Sequence, residues 1–385
     1  MSRSQPDILI IGGGIAGASA AAELARTHRV LVLEAEAAPG YHSTGRSAAV
    51  FSESYGNLAV RALTRASRHF FYNPPADFSS YPLLKRRSWL HVASASQVAA
   101  LDSFVATEDL ALRVRRITQE EVLALSPLLR PETAAAGGAY ESDAADIDVD
   151  ALHQGYLRLL RQRGGTVITG AQVTALTRSG AKWLLESTAG RFQGAIIINA
   201  AGAWADRVAS LAGIAPMRIQ PCRRTAVLVE LAGVEISDAW PLTIDMEEAY
   251  YFKPDAGLLL ISPADETPVE PHDAQPEELD VAIAIDRVEK ATRTTVQRVR
   301  RKWAGLRSFA PDRSPVIGFD AAAPGFFWLA GQGGYGIQTA PAAAALAAAM
   351  VRGEARPPEL ASFDPAIVAP TRMAQSAPPP ANPRS

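Results

Sequence analysis

A glycine-rich turn near the start of the chain carries the clearest chemistry. Residues 12–17 read GGGIAG and fit the pattern G-x-G-x-x-G, between a short apolar run and an Ala-rich segment. In this pattern Gly12 permits the tight turn, Gly14 lets a pyrophosphate approach the backbone, and Gly17 allows a helix to pack closely on a strand. Glu34, about 20 residues further on, is placed to accept hydrogen bonds from a ribose and disfavours a 2′-phosphate, and therefore NADP. The turn predicts dinucleotide binding, with a plain glycine-rich loop as the alternative.

Three further segments favour FAD over NAD. Residues 42–49 (HSTGRSAA) combine small and hydroxyl side chains that can open a helix toward phosphate or a flavin edge. Residues 196–204 (IIINAAGAW) read as a strand that runs into a close-approach turn, and residues 331–337 (GQGGYGI) place a glycine loop before the last helix. Contacts from both ends of the chain suit a deeply buried, permanently bound FAD. The predicted cofactor-binding residues are Gly12, Gly14, Ile15, Ala16, Gly17, Glu34, Gly45, Arg46, Ser47, Ala48, Val173, Ala201, Gly202, Trp204, Gly331, Gly333, Gly334, Tyr335, Gly336, Ile337 and Gln338.

Two arginine-bearing segments could hold a carboxylate. Flavin oxidation of an amine removes a hydride from the α-carbon onto N5, so the site must fix the substrate's carboxylate and aim its C–H bond. The planar fork of arginine matches a carboxylate bidentately. Residues 221–225 form a probable strand in which Arg223 and Arg224 face opposite ways, so only one of them can enter a pocket. Residues 303–309 supply a second candidate, Arg307.

The surrounding pattern predicts the elements that position these residues. Residues 8–33 read as a β-α-β unit, which predicts a parallel, doubly wound core sheet of the α/β class. Helices are expected over residues 148–163 and from about residue 276, and an antiparallel stretch is expected over residues 167–192. Residues 326–352 should close the core as a strand, a glycine loop and a helix.

Composition limits the class of protein. The chain has 385 residues, 38 Lys and Arg against 40 Asp and Glu, a formal charge of −2 and one cysteine. Its length predicts about two domains, and its charge argues against a nucleic-acid coat or an anionic-membrane binder. Cys222 alone can form neither an intrachain disulfide nor a metal site, which fits a reducing cytoplasm.

We expect neither a signal peptide, because Asp7 and three glycines interrupt residues 1–20, nor a transmembrane helix. Residues 365–385, rich in Pro, Ala and Ser, are expected to be disordered.

The sequence resembles the D-amino acid oxidase-like FAD-dependent oxidoreductases, and within them most closely the bacterial D-arginine dehydrogenases. The resemblance spans about residues 7–352. It rests on the motifs GGGIAG, HSTGRSAA, DIDVDALHQGYLR, NAAGAW, YYFKPDAG, WAGLRSFAPD and GQGGYGIQT.

This resemblance implies a fold, a reaction and a set of site residues. It implies a Rossmann-like FAD-binding domain and a substrate domain whose mostly antiparallel sheet covers the flavin. We expect the FAD domain at residues 1–82, 146–217 and 305–364, and the substrate domain at residues 83–145 and 218–304. The reaction implied is oxidative deamination of D-amino acids to imino acids, which yield 2-oxo acids and ammonia. The implied catalytic residues are Tyr55, Arg224, Tyr251, Arg307 and Gly334, with Ile337 also near the substrate amine.

Two departures from the D-arginine dehydrogenase pattern bear on the substrate. Trp89 stands where that pattern has the glutamate that pairs with the basic end of the substrate, and Val50 stands where it has a histidine. A cationic side chain would lose its buried partner, so we expect Val50, Ser52, Trp89 and Ile337 to form a pocket for neutral, hydrophobic side chains. Alternatively, Trp89 points away from the pocket. Without the histidine no dedicated base is apparent, and the substrate would react as its neutral amine.

Other interpretations remain open at this stage. A sarcosine- or glycine-oxidase-like enzyme would use the same fold. Several secondary-amine oxidases attach flavin to a cysteine near the late arginine, but residues 306–312 contain none, so noncovalent FAD is expected. A non-catalytic FAD-binding protein or a nicotinamide-dependent dehydrogenase is a further possibility. We expect a cytoplasmic monomer with a small-molecule substrate and no nucleic-acid partner, whose electron acceptor is either O₂ or a quinone- or dye-type compound.

Overall fold

Helices pack on two large sheets. A computed structural model describes residues 5–110 and 113–375. Its helices are α1 (Ile15–Leu24), α2 (Leu58–Tyr72), α3 (Val98–Val105), α4 (Gln119–Leu125), α5 (Val149–Gln162), α6 (Ala205–Leu211), α7 (Glu278–Ala291) and α8 (Gly336–Arg352). The expected helices at residues 148–163 and from about 276 are therefore confirmed as α5 and α7.

The strands of the described residues follow the chain in this order: β1 (Ile8–Ile11), β2 (Val30–Leu33), β3 (Val50–Phe51), β4 (Leu84–Arg86), β5 (Trp89–Ala93), β6 (Arg115–Ile117), β7 (Gly137–Glu141), β8 (Ala145–Ile147), β9 (Thr166–Ile168), β10 (Val173–Ser179), β11 (Lys182–Ser187), β12 (Gly190–Gly194), β13 (Ile196–Asn199), β14 (Gln220–Leu231), β15 (Leu242–Asp245), β16 (Tyr251–Asp255), β17 (Leu258–Ser262), β18 (Thr267–Pro268), β19 (Val296–Phe309), β20 (Val316–Phe319), β21 (Phe326–Ala330) and β22 (Gln332–Gly333).

The first large sheet is the predicted parallel one. Its order is β20-β21-β13-β1-β2-β9, and only β20 runs antiparallel to its neighbour. Side chains of β1 alternate between two cores: Ile8 and Ile10 pack with α1, α5 and α8, whereas Leu9 and Ile11 face α6 and the small sheet β10-β11-β12. Alternation with burial on both faces is the pattern of a central parallel strand. The β10-β11-β12 sheet confirms the antiparallel prediction over residues 167–192.

The second large sheet is mostly antiparallel, as the resemblance implied. Its order is β22-β19-β14-β17-β16-β15-β5-β7-β6, with a parallel pairing of β15 and β5. The long pair β14 and β19 aligns Cys222 with Arg307 and Arg224 with Gly305. Helix α7 contacts β14, β17 and β19. The predicted domain limit between residues 304 and 305 falls inside β19, so this strand carries the chain from one predicted domain into the other.

The prediction of a disordered tail needs correction at its start. Residues Pro365–Val368 and Pro370–Gln375 form 3₁₀ turns. Val368 is fully buried in the core beneath α8, and Arg372 pairs with Asp312 at 2.7 Å (Nε to Oδ2). Composition missed these two anchors because single buried or paired residues in a Pro- and Ala-rich segment have little effect on its average. The rest of the predicted tail lies outside the described residues.

The described residues offer neither a membrane-spanning helix nor a cluster of metal ligands. No helix there has the length and apolar character needed to cross a membrane. No group of three or more His, Cys, Asp or Glu side chains in that part of the chain could hold a metal ion.

Candidate active site

Two adjoining cavities lie between the sheets, and Gly14, Thr44 and Gly202 line both of them. The first, here called the turn cavity, extends beside the glycine turn and Glu34 and has a volume of about 740 Å³. This volume falls within the range of about 300–1,000 Å³ usual for cofactor and ligand sites. The second, here called the arginine cavity, has a volume of about 220 Å³ and is lined by Arg224 and Arg307.

The glycine turn has the tight geometry that its pattern predicts. Gly12 has φ of 105°, and a Cβ atom there would lie 2.4 Å from the carbonyl oxygen of Ala200. At Gly17 a Cβ would lie 1.9 Å from the Gly12 carbonyl oxygen, so α1 can approach β1 only with glycine at that position. The Glu34 carboxylate accepts hydrogen bonds from the amides of Gly13 (2.7 Å) and Glu36 (2.9 Å). Both bonds fix an acidic group at the edge of the turn cavity.

Most of the predicted cofactor-binding residues line one or both cavities. The turn cavity is lined by Gly12, Gly14, Glu34, Val173, Ala201, Gly202 and Trp204. The arginine cavity is lined by Gly14, Ile15, Ala16, Arg46, Ser47, Ala48, Gly202, Gly333, Gly334, Gly336, Ile337 and Gln338. The predicted contacts Gly17, Gly45, Gly331 and Tyr335 do not line either cavity. Gly45 packs instead on the Gly40 carbonyl, and Tyr335 packs in a small cluster with Val60 and Phe309.

The turn cavity fits a bound dinucleotide in size and in the groups at its edge. Its volume is about 740 Å³, the Gly12 and Gly14 backbone borders it, and the Glu34 carboxylate lies where a ribose would need an acceptor. Gln338, a residue lining the arginine cavity, is 2% exposed, and its Oε1 atom accepts a hydrogen bond from the Ser52 amide at 3.1 Å.

Arg224 and Arg307 meet in the arginine cavity, whereas Arg223 turns away. Arg223 pairs with Asp280 at 2.8 Å and with Glu277 at 3.0 Å, so the predicted alternation along β14 is confirmed. Nη2 of Arg307 donates to the Tyr55 hydroxyl at 2.7 Å. Nη2 of Arg224 and Nη1 of Arg307 each lie 3.2 Å from Oε1 of a single carboxylate, that of Glu266.

Gly334 lies against the flat face of the Arg307 guanidinium. A Cβ atom on Gly334 would lie 1.8 Å from Nη2 and 2.1 Å from Cζ of Arg307. The Arg307 guanidinium also lies 5.9 Å from the ring centres of Tyr55, Phe309 and Tyr335. Arg307 is therefore held on several sides, and a glycine is required on one of them.

An apolar wall faces the two arginines. Val50, Trp89, Leu242, Ile244 and the half-buried ring of Tyr251 pack together and line the cavity. The alternative that Trp89 points away does not hold, because its buried ring forms part of this wall. The described residues that line the arginine cavity include no Asp, Glu or His.

Two neighbouring groups are affected by burial in this wall. Nε1 of Trp89 donates to Nε2 of His91 at 3.3 Å, and burial lowers the pKa of His91 to about 3, so this imidazole is neutral. Burial also raises the pKa of the Tyr55 hydroxyl above its ordinary value. Tyr55 is therefore a hydrogen-bonding group and not a base near neutral pH.

The placement of Ser52 in the pocket needs correction. Ser52 is fully buried and does not line the cavity; its Oγ donates to Oε2 of Glu141 at 2.7 Å, beside Ser54, which donates to the same atom at 2.5 Å. Alternation along a strand would place Ser52 on the same side as Val50, but β3 ends at Phe51, and beyond it the hydrogen bond to Glu141 turns the Ser52 side chain away from the cavity. Sequence reasoning missed Glu141 and Glu266, since neither lies in a motif.

The fold and the glycine turn are those of a dinucleotide-binding protein, and a second cavity lined by arginines adjoins the turn. The chain belongs to the family described as FAD dependent oxidoreductase (DAO), whose family model matches residues 7–350.

The relatives with similar sequences carry the names of different enzymes. The chain is 27% identical over 266 residues to the hydrogen cyanide synthase subunit HcnC of Pseudomonas aeruginosa. This match covers 66% of this chain and 60% of that protein. It is 24% identical to the glycine oxidase of Geobacillus kaustophilus, over 93% of this chain and 96% of that enzyme.

Solved structures agree with this fold. The L-proline dehydrogenase of P. horikoshii has a TM-score of 0.82 at 20% identity and covers 98% of this chain and 100% of that one. The glycine oxidase of G. kaustophilus has a TM-score of 0.79 at 21% identity, over 94% and 98% of the two chains. These likenesses show the fold, and the narrower likeness to D-arginine dehydrogenases stays a prediction.

Proposed function

We propose that this chain oxidises D-amino acids with neutral, hydrophobic side chains to imino acids, using noncovalently bound FAD. The products would hydrolyse to 2-oxo acids and ammonia. The observation that carries the proposal is the composition of the arginine cavity: Arg224 and Arg307 face an apolar wall, and the described lining has no acidic side chain. Arg46 also lines the cavity, but its guanidinium bonds to Asp273 and to the carbonyls of Ala274 and Ala304. One end of the cavity suits a carboxylate and the other suits an uncharged side chain.

The carboxylate end is built by Arg224, Arg307 and Tyr55. Each guanidinium has five N–H donors. Arg224 uses donors toward Asp265 O (2.7 Å) and Glu266, and Arg307 uses donors toward Tyr55 and Glu266. The remaining donors can bind a substrate carboxylate through charge-assisted hydrogen bonds, which are among the strongest that proteins make. This clamp fixes one end of the substrate and so restricts where its α-carbon lies.

The side-chain end of the cavity disfavours cations, because a cation there would lose hydration free energy without gaining an ion pair. Trp89 and Val50 are 4% and 8% exposed, and neither carries a negative charge that could form an ion pair with a cation. A guanidinium or ammonium that enters the cavity without a partner loses several kcal/mol of hydration. Glu248 is the acidic residue whose field reaches Tyr55, but it is exposed on the loop between β15 and β16 and does not line the cavity.

Proton chemistry is left to the substrate. Among the described residues lining the cavity there is neither a carboxylate nor an imidazole, and the raised pKa of Tyr55 removes it as a base. The substrate therefore has to arrive as, or convert to, the neutral amine. When bound, FAD would supply the acceptor for the hydride that leaves the α-carbon. The rate should rise with pH toward the pKa of the substrate amine, and a flat profile between about pH 6 and pH 10 would contradict this.

The cysteine position supports a noncovalent cofactor. Cys222 is 7% exposed, packs with Val60, Phe309 and Tyr335, and lines neither cavity. Burial raises the pKa of its thiol to about 11, so the reactive thiolate is scarce at neutral pH. Acid precipitation should release all the flavin into the supernatant, whereas flavin in the pellet would show a covalent link.

An anaerobic substrate panel tests the proposal directly. The purified protein is mixed without oxygen with the D- and L-forms of Leu, Met, Phe, Lys and Arg, and flavin bleaching is followed. We expect bleaching by the neutral D-forms and much slower bleaching by D-Lys and D-Arg. Higher kcat/KM for D-Lys and D-Arg than for D-Leu, D-Met and D-Phe would refute the side-chain preference. No bleaching by any amino acid would favour a non-catalytic FAD-binding protein, and a colourless protein would favour a nicotinamide enzyme.

A glycine-oxidase-like activity is the second candidate, favoured by the similarity to glycine oxidase over nearly the whole chain. Glycine would use the same arginine clamp and leave the apolar wall uncontacted. Glycine and sarcosine therefore belong in the panel, and turnover of either above D-Leu would select this candidate. Peroxide formation in air against reduction of a dye or quinone distinguishes the two classes of electron acceptor.

A further inference from the structure

A buried imidazole, that of His153, donates a hydrogen bond to the glycine turn. His153 lies on α5, in the motif DIDVDALHQGYLR, is 3% exposed and lines neither cavity. Its Nε2 atom lies 2.8 Å from the carbonyl oxygen of Gly13. Because a carbonyl oxygen can only accept, Nε2 carries the proton and donates it. Burial lowers the pKa of His153, so the ring is neutral at neutral pH and has this single N–H.

The loop after β2 makes room for this ring. Gly40 has φ of 81°, and a Cβ atom there would lie 2.8 Å from Cε1 and 3.1 Å from Nδ1 of His153. A side chain at residue 40 would therefore both strain the backbone and displace the imidazole. The position of His153 thus depends on this loop as well as on its own helix.

The amides on either side of Gly14 are bonded within the protein. The Gly13 amide donates to the Glu34 carboxylate at 2.7 Å, and the Ile15 amide donates to Oγ1 of Thr44 at 3.0 Å. Among the described residues the Gly14 amide has no acceptor, and Gly14 borders both cavities. The Gly14 N–H is therefore available to a ligand.

The bond from His153 sets the direction of the peptide group between Gly13 and Gly14. In a trans peptide the C=O and the N–H point in opposite directions, so a carbonyl held toward α5 turns the Gly14 N–H away from α5. We infer that His153 is a positioning residue for the cofactor, which directs the Gly14 amide to the pyrophosphate that this turn pattern binds. The inference rests on the dinucleotide of the proposed function and does not depend on the amino acid substrate.

Retention of FAD by the full chain tests this without turnover. The flavin-loaded protein is dialysed to equilibrium against a series of FAD concentrations, and bound flavin per chain gives the Kd. We expect His153→Leu, which has no donor, to raise the FAD Kd by about tenfold or more, the loss of one charge-assisted hydrogen bond. In His153→Gln the amide nitrogen reaches about as far as Nε2 of histidine and donates, so the Kd should stay within about threefold of wild type.

Further measurements separate positioning from stability. His153→Asn keeps a donor that is too short to reach the Gly13 carbonyl, and should weaken FAD binding as His153→Leu does. Leu160→Ala removes a fully buried side chain further along α5 and lowers stability in urea unfolding, but should leave the FAD Kd within about threefold of wild type. ADP carries a pyrophosphate without the flavin, so its constant for displacing FAD should rise in His153→Leu by the same factor as the FAD Kd.

The inference is overturned if both His153→Leu and His153→Asn bind FAD within threefold of wild type, or if Leu160→Ala weakens FAD as much as they do. An unchanged ADP constant in His153→Leu would equally overturn it, because the lost contact would not be with the pyrophosphate.

These outcomes are distinct from failure of the proposed function. If FAD affinity depends on His153 as expected but no D-amino acid bleaches the flavin, the role of His153 stands and the proposed substrate is wrong. If the protein is colourless and binds NAD⁺, which also contains a pyrophosphate, a similar loss in His153→Leu leaves the role standing and the proposed cofactor wrong. If D-amino acids are oxidised and FAD affinity is unchanged in His153→Leu, the proposed function stands and the role of His153 is wrong.

Discussion

Gly334→Ala is the smallest change that should disable the carboxylate clamp. The added Cβ would lie 1.8 Å from Nη2 of Arg307, whereas ordinary contact begins at 3.4 Å, so the guanidinium must retreat by about 1.6 Å. Gly334 is not in the left-handed region, so the backbone tolerates alanine and the effect comes from space alone.

The size of the effect follows from the hydrogen bonds that this movement of the guanidinium weakens. A shift of about 1.6 Å away from the Gly334 face stretches the 2.7 Å bond from Arg307 to Tyr55 to about 3.1 Å, bends it by about 30°, and misplaces the N–H groups meant for the substrate. Losing charge-assisted hydrogen bonds worth about 1.5–3 kcal/mol each predicts a fall in kcat/KM of about 100-fold or more. Gly334 is also a predicted cofactor contact, so kcat/KM is expressed per bound flavin, measured by absorbance.

A double-mutant cycle shows whether Gly334→Ala acts through Arg307. Lysine lacks the planar group against which Gly334 packs, so adding Gly334→Ala to Arg307→Lys should cost less than about threefold. Steady-state kinetics with D-Leu, alongside flavin absorbance and circular dichroism, provide the comparison. The reasoning is refuted if Gly334→Ala keeps kcat/KM within threefold of wild type, or if it costs the same in both backgrounds.

Three other changes test neighbouring parts of the site. Tyr55→Phe removes the acceptor for Arg307 and should lower kcat/KM by about tenfold; an unchanged value would show that this hydrogen bond does not matter. Trp89→Glu should raise the D-Arg to D-Leu ratio of kcat/KM by about tenfold or more, and an unchanged ratio would remove Trp89 from the side-chain wall. His91 has a folded-state pKa of about 3, below its ordinary 6.5, so the unfolded chain binds its proton first and stability falls as pH drops below about 6.5. Urea unfolding should show this loss, about 2 kcal/mol by pH 5, and it should be absent in His91→Gln.

Local sequence patterns predicted those parts of the fold that depend on interactions between residues close together in the sequence. The glycine turn and β1 could be predicted from neighbouring residues, because the spacing of the glycines alone indicates the turn, and the close contact of Gly17 with the Gly12 carbonyl lies within the turn itself. The contact of Gly12 with Ala200 was not needed for the prediction. The alternation that separates Arg223 from Arg224 is likewise a property of one strand. These features required no knowledge of distant residues, and the structure confirms them.

The rest of the site depends on contacts between distant segments. The segment between β17 and α7 carries several acidic residues, and nothing in its spacing indicates that Glu266 turns toward the arginines while Glu270 faces solvent. Ser52 was misplaced for the same reason, because its partner Glu141 lies at the end of β7, on another part of the chain. A single sequence does not indicate which residues from distant segments pair in this way.

The arrangement around Arg307 links these distant segments into one unit. Its strand β19 pairs with β14, which brings Arg224, and with β22, which leads directly to Gly334. Tyr55 and Glu266 hold two different nitrogen atoms of the same guanidinium. Because each contact fixes a different edge of one rigid planar group, removing any of them should loosen the group in a different direction. Loss of carboxylate affinity, measured per bound flavin, is therefore the shared effect expected for Gly334→Ala and Tyr55→Phe.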